Sequence, residues 1–337
     1  MLNIKFVLVA ITLFSFVTAC SSQSGEETNA STISGDLSFY TSQPDADAEQ
    51  LIAAFNQEYP DVNVSTFRSG TEEVISKVQA EKQAGDVQAD VLLVADAVTF
   101  ESLKNQNMLL SYTSSEANEI PTSFVDEDGM YTGTKVMSTA LVANTEKVAD
   151  MPTSWDVLTN KSSEGQTIMP SPLYSGAAAY NLGVLTREDN FGWDFYKDIK
   201  ANDSTVTQGN GAVLKAVAAG EESFGMVVDF IVARAKAEGS PVELIYPQEG
   251  VPVITEPIGI MENTDNAPAA KAFGDFVLSE EGQQLAAEIG YTPIRKGVEA
   301  PQGLKTVEQM NVLEADVQEL FKSRVSDKEQ FNQLFGE

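Results

Sequence analysis

Three places in the chain set glycine beside small polar residues just where a helix is due to begin: Ser69-Gly70-Thr71, Tyr174-Ser175-Gly176-Ala177 and Gly209-Asn210-Gly211. The first turn of a helix presents backbone N–H groups without intrahelical acceptors, together with a partial positive charge. Glycine lets an anion approach that backbone, and Ser or Thr hydroxyls add donors. A single start of this kind is usually an ordinary cap. Two of them facing each other, one per lobe, would form an anion clamp that needs no arginine. Tyr40, Thr41 and Ser42 end the first strand and would bring a phenol and two hydroxyls to the same cleft. Tyr40 reads equally well as a half-buried structural tyrosine. Asp229 closes the apolar run Phe224–Val228, so its carboxylate either faces the cleft or caps the following helix. Ligands of open α/β sheets bind outside the carboxyl ends of the strands, which favours the cleft. A carboxylate beside an anion site suits a zwitterion, whose ammonium it would accept. Asp96, after the third strand, is a weaker candidate of the same kind.

The chain has no histidine and one cysteine, which removes the usual catalytic triads, the commonest metal ligand and any internal disulfide. Asp229 and Glu256 can be imagined as a carboxylate pair, but no nucleophile and base accompany them, so no enzyme is expected. Walker and dinucleotide fingerprints are absent, and neither a cofactor nor a metal site is assigned. A net charge of -29 repels nucleic-acid phosphates, so nucleic acid is not an expected partner. That field does not name the ligand, because a local cluster of donors can hold an anion inside an acidic protein.

These residues need a scaffold. Leu37–Thr41, Val62–Phe67 and Asp90–Val94 read as strands, with helices over Ala48–Tyr59, Glu72–Ala84 and Ala97–Asn105. That β-α-β-α-β order implies a parallel sheet with right-handed crossovers. Tyr131–Ala143 is extended and forms a first crossing to a second unit. There, strands over Thr167–Pro170, Phe224–Val228 and Val242–Tyr246 alternate with helices over Ala177–Leu185, Phe191–Ala201, Ala212–Ala219 and Phe230–Glu238. Glu256–Met261 is the second crossing, and helices Ala267–Leu278 and Glu280–Ile289 return to the first unit. Val307–Phe335 has helical spacing and is expected as an outer cap. The fold class read from this order is α/β, a two-lobed clamshell with two hinge crossings and its ligand between the lobes. Lobe 1 would comprise residues 36–136 and 262–337, and lobe 2 residues 137–261.

At the N-terminus, Lys5 precedes the apolar run Phe6–Val17, and Val17-Thr18-Ala19 leads into Cys20. Residues 1–19 read as a secretory signal, too short for a comfortable membrane span. The cysteine directly after small residues resembles a bacterial lipobox, which implies lipidation of Cys20 as the first mature residue. Residues 20–35, rich in Ser, Thr, Glu and Gly, form a flexible tether. A periplasmic or cell-surface location, with a lipid anchor in the membrane, is the expectation.

Within Ser223–Ile260 the order is strand, Asp229, helix, then Tyr246-Pro247-Gln248-Glu249-Gly250 and Pro257-Ile258-Gly259-Ile260. With Ala269–Arg295 (AAKAFGDFVLSEEGQQLAAEIGYTPIR) it resembles the C-terminal half of the type 2 solute-binding proteins of ABC importers. The nearest likeness is to the ferric-ion-binding-like branch, which also holds phosphonate and sugar-phosphate binders, and it runs from about Leu37 to Val298. The resemblance implies a monomeric receptor that delivers a small anion or zwitterion to ABC permease subunits. A phosphonate such as 2-aminoethylphosphonate, or a sugar phosphate, would then rest on Ser69, Gly70, Thr71, Ser175, Gly176 and Ala177. Tyr174 stands beside that second-lobe start, and Tyr40 and Asp229 would read the rest of the ligand. Ferric relatives hold iron mainly with a tyrosine pair after the strand matching Phe224–Val228. Here that position reads Asp229-Phe230, and Tyr174 and Tyr180 are not adjacent. A ferric-ion carrier is therefore the alternative rather than the first expectation.

Overall fold

The structure, a computed structural model, describes residues 33–313 and 315–336. The expected leader, Cys20 and most of the expected tether lie outside the described residues. The first lobe opens with β1 (Gly35–Thr41), α1 (Asp45–Glu58), β2 (Val62–Arg68), α2 (Thr71–Ala84), β3 (Val91–Leu93), α3 (Ala97–Asn105) and β4 (Thr132–Gly133). The second contains β5 (Lys135–Asn144), β6 (Thr167–Pro170), α4 (Gly176–Leu185), α5 (Gly192–Ala201), β7 (Thr205–Thr207), α6 (Asn210–Ala218), β8 (Phe224–Val228), α7 (Asp229–Ala237), β9 (Val242–Ile245) and β10 (Val251–Ile254). The chain then forms β11 (Pro257–Ile260), α8 (Ala267–Leu278), α9 (Glu280–Glu288), β12 (Thr292–Pro293), β13 (Val312–Leu313) and α10 (Val317–Phe335).

The first sheet has five strands in the order β2-β1-β3-β11-β4, with β1 parallel to both β2 and β3. The second has eight strands along β13-β10-β5-β8-β6-β7, with β9 and β12 also pairing β5. β6 is parallel to β7 and to β8. All ten residues of β5 are buried, as a strand flanked on both edges and covered on both faces must be. The chain changes sheet at Thr134 and again at Thr255-Glu256, slightly before the boundaries expected from sequence. The parallel strands of each lobe therefore end at the interlobe gap, and their following loops supply its walls.

Each lobe has its own core. In the first, Phe39 and Phe55 pack on Phe273 with ring centroids 4.9 and 5.0 Å apart. In the second, Trp155 is fully buried and donates from Nε1 to the Gly250 carbonyl at 2.8 Å. No helix among the described residues is long and apolar enough to cross a membrane.

The C-terminal segment departs from the expectation that it caps the first lobe. β13 pairs with β10 of the second sheet, and α10 starts only at Val317. Asp316 sets that start by accepting from the N–H groups of Gln318 and Glu319. Leu320 and Phe331 then join the second-lobe cluster of Trp155, Leu185 and Tyr196. Gly183 makes room, since a Cβ there would lie 2.9 Å from Leu320 Cδ2. Arg324, one turn after Leu320 on the same stripe of α10, bonds Asp96 and Glu72 of the first lobe, so the helix straddles both lobes.

Candidate interlobe binding site

Between the lobes lies a cavity of about 330 Å³. The starts of α2, α4 and α6 converge on it: Gly70 and Thr71, Ser175 to Ala177, and Gly209 to Gly211. The first turn of each helix has N–H groups without intrahelical acceptors, and the helix dipole adds positive potential at that end. Helix starts are places where an oxyanion can be accommodated by backbone N–H groups.

The lobes meet so closely at these starts that glycine is required. A Cβ at Gly176 would stand 2.7 Å from the Ala95 carbonyl oxygen and 2.8 Å from Thr71 Oγ1. One at Gly70 would stand 2.6 Å from the Tyr174 ring. The backbone N–H of Glu72 donates across the gap to the Tyr174 carbonyl at 3.3 Å. Ser175 caps α4 by accepting from Ala178 N, and accepts from Asn210 Nδ2 at 3.2 Å. Asn210 Oδ1 accepts from Val228 N, so one side chain ties the starts of α4 and α6 to the end of β8. Ser42 lines the cavity from the first lobe, its Oγ accepting from Ala95 N.

Among the sequence-predicted residues, Ser42, Gly70, Thr71, Tyr174, Ser175, Gly176, Ala177 and the Gly209-Asn210-Gly211 start thus line one cavity. The others do not reach it. Tyr40 packs with Phe67 and Val74 and donates its hydroxyl to Glu81 Oε1 at 2.8 Å, on the far side of the strand. Thr41 is fully buried and spends its hydroxyl on the Leu93 carbonyl. Ser69 donates to Glu73 at the surface. Asp229 is the first residue of α7 and turns away from the cavity toward β5. It is 1% exposed, accepts from Phe230 N and Ser138 N, and binds the hydroxyls of Ser138 at 2.6 Å and Tyr246 at 3.1 Å. Its neighbours Val228, Phe230 and Ile231 occupy the cavity wall instead. Asp96 caps α3 and meets Arg324, likewise outside the cavity lining.

Burial pushes the Asp229 carboxyl up to about 6, against the hydrogen bonds from Ser138, Tyr246 and Phe230 that hold it down. A carboxyl raised in the folded state binds more protons there than in the unfolded chain. Stability from this group therefore falls as pH rises from about 4 to 6, by about 3 kcal/mol. Asp229→Asn is expected to remove that slope. Thermal midpoints of wild type and variant, measured at pH steps between 4 and 7, should diverge across this window; parallel curves would contradict the assignment.

Sequence reasoning passed over Arg68 and weighed Glu256 only as half of a carboxylate pair, yet both line the cavity. Arg68, at the end of β2, lines it while its Nε donates to the Gln43 carbonyl at 2.7 Å. Glu256, at the second passage between lobes, forms a buried ion pair with Lys135 of the first passage at 2.7 Å. Lys135 Nζ also sits 4.6 Å from the ring centre of Tyr291, whose hydroxyl is held by Asp47 at 2.6 Å. A lone charge inside each of the apolar runs around Lys135 and Glu256 was the available signal. No group of three or more carboxylate or cysteine side chains placed to hold a metal occurs among the described residues.

Comparison with known proteins agrees with this architecture. The model of the bacterial extracellular solute-binding protein family matches residues 50–312. A probable ABC transporter periplasmic-binding protein of Sinorhizobium fredii is 27% identical over 258 residues, covering 73% of this chain and 70% of that one. The periplasmic binding protein AfuA of Actinobacillus pleuropneumoniae, solved with fructose-6-phosphate bound, superposes with a TM-score of 0.83 at 23% identity, covering 90% of this chain and 99% of that one. Iron-bound HitA of Pseudomonas aeruginosa superposes with a TM-score of 0.78 at 21% identity, covering 88% and 99%. Two α/β lobes around a cavity and a family match across most of the chain lead to one assignment: this chain belongs to the bacterial extracellular solute-binding proteins, with the type 2 fold seen in AfuA and HitA.

Proposed function

We propose that the chain is the lipid-anchored receptor of an ABC importer and captures a small anionic or zwitterionic solute, a phosphonate such as 2-aminoethylphosphonate or a sugar phosphate. The observation that carries this reading is the convergence of three helix starts from both lobes on one cavity. Their N–H groups match the several oxygens of a phosphoryl group, and closure of the lobes around it would present the loaded form to the permease. Fructose-6-phosphate in AfuA supports a phosphate ester in a fold of this type. The carboxylate that the zwitterion requires is Glu256 rather than Asp229, because only Glu256 lines the cavity. Lipidation at Cys20 would hold the receptor in the membrane.

The test is thermal unfolding of the tether-free protein against 2-aminoethylphosphonate, glucose 6-phosphate, inorganic phosphate and ferric citrate. A ligand at about a hundred times its dissociation constant adds roughly 2.7 kcal/mol of stability. Stabilisation by a phosphonate or phosphate ester is the expected result. Stabilisation by ferric citrate alone, with a visible tyrosinate-to-iron band, would overturn it.

A further inference from the structure

Glu256 is built into its place more firmly than a surface acid would be. The residue is 4% exposed, and its backbone φ of +36° is a left-handed conformation that non-glycine residues keep only where their surroundings enforce it. The enforcing contacts come from the other interlobe passage. Thr134 Oγ1 donates to the Glu256 carbonyl at 2.7 Å, and Lys135 Nζ lies 2.7 Å from Oε2. Gln43 Nε2 donates to the same Oε2 at 3.4 Å. Both side-chain partners thus converge on Oε2, while Glu256 is part of the cavity lining, which leaves Oε1 as its acceptor for a bound molecule.

The rest of that wall narrows what the acceptor can read. Met137, Val228, Phe230 and Ile231 offer no charged acceptor, and Arg68 is a donor. A protein of net charge -29 also repels a solute in proportion to its own net negative charge. A positive group on the solute relieves that repulsion and gives Oε1 a charge-assisted partner.

We propose that Glu256 determines specificity: its Oε1 accepts from the ammonium of a zwitterionic phosphonate or phosphate monoester whose oxyanion rests on the helix starts. This rests on the anion-cradle reading above. Because Thr134 and Lys135 hold Glu256, the ammonium contact also bears directly on both passages between the lobes.

Calorimetric titration of wild type with isosteric probes separates the two ideas. 2-Aminoethylphosphonate, 2-hydroxyethylphosphonate and n-propylphosphonate differ only in the terminal ammonium, hydroxyl or methyl, and inorganic phosphate reports the cradle alone. The amino compound is expected to bind at least about tenfold more tightly than either isostere, a step of about 1.4 kcal/mol. Glu256→Gln should shrink that preference to about threefold or less. Since this variant strands buried Lys135, the Glu256→Gln/Lys135→Met double variant serves if the single one does not fold. Equal affinity for the amino and propyl compounds overturns the role of Glu256 and leaves the cradle standing. So does a preference that survives the substitution, or binding of phosphate with none of the three. Failure of all four probes to bind overturns the cradle and this inference together.

Discussion

Gly176→Ala is expected to weaken binding of 2-aminoethylphosphonate or glucose 6-phosphate by about a hundredfold or more. The added Cβ would stand 2.7 Å from the Ala95 carbonyl oxygen and 2.9 Å from Thr71 Cβ, both fixed by backbone on the opposing lobe. Neither can yield as the tip of a flexible side chain could, so the lobes must stay further apart. When the binding-competent closed form falls to a hundredth of its former population, apparent affinity falls in the same ratio. The fold itself should survive, because alanine is the better helix former and Gly176 is the first residue of α4. Gly274→Ala in α8, where a Cβ meets nothing within 4 Å, is the matched control and should bind as wild type. Calorimetry gives the affinities, and small-angle scattering gives the separation of the lobes. Tight binding by Gly176→Ala would show that contact between the starts of α2 and α4 is not needed for capture.

The second large effect is expected in stability, from Arg324→Met. Arg324 Nη1 lies 2.8 Å from Asp96 Oδ2, and Nη2 lies 3.1 Å from Glu72 Oε1. Asp96 is fully buried, so removing the guanidinium leaves its carboxylate without a cation and away from water. Breaking one partner of a buried pair costs about 3–5 kcal/mol. Lys328 still holds Glu72 at 2.6 Å, so the penalty should centre on Asp96. The double variant Arg324→Met/Asp96→Asn should recover much of the loss, and the unfolding free energies of the four proteins give the coupling. Equal losses in the single and double variants would contradict this reading. Since α10 sits on the second lobe's core while both acids belong to the first, the same pair also ties the lobes together.

The scaffold was legible in the sequence wherever the signal was local. The runs Thr167–Pro170 and Phe224–Val228 and the helices Ala97–Asn105 and Ala267–Leu278 stand where periodicity and Gly or Pro punctuation put them. Gly70 and Gly176 were legible for the same reason, since a glycine with a hydroxyl neighbour before a helix has a limited set of uses. The short strand Thr205–Thr207 escaped because three residues carry no period. The direction of Asp229 could not be read, because it is set by Ser138, ninety-one positions away in sequence, and by Tyr246. Tyr40 fails similarly: it packs with Phe67 and Val74 and bonds Glu81, forty-one positions away, rather than reaching the cavity. For α10, the amphipathic pattern announced a buried face but not which lobe would receive it. Only the space over Gly183 and the apolar cluster around Trp155 decide that.

The central claim, that an oxyanion is held by helix starts contributed by both lobes, is tested most directly by amide NMR of the isotopically labelled, tether-free protein titrated with 2-aminoethylphosphonate. Hydrogen bonding to a phosphoryl oxygen moves an amide proton downfield. The largest such shifts are expected at Gly70, Thr71, Gly176, Ala177 and Gly211, on both sides of the cleft, with Asp229 and Ser69 little affected. Shifts confined to one lobe, or shifts centred away from these helix starts, would contradict the clamp.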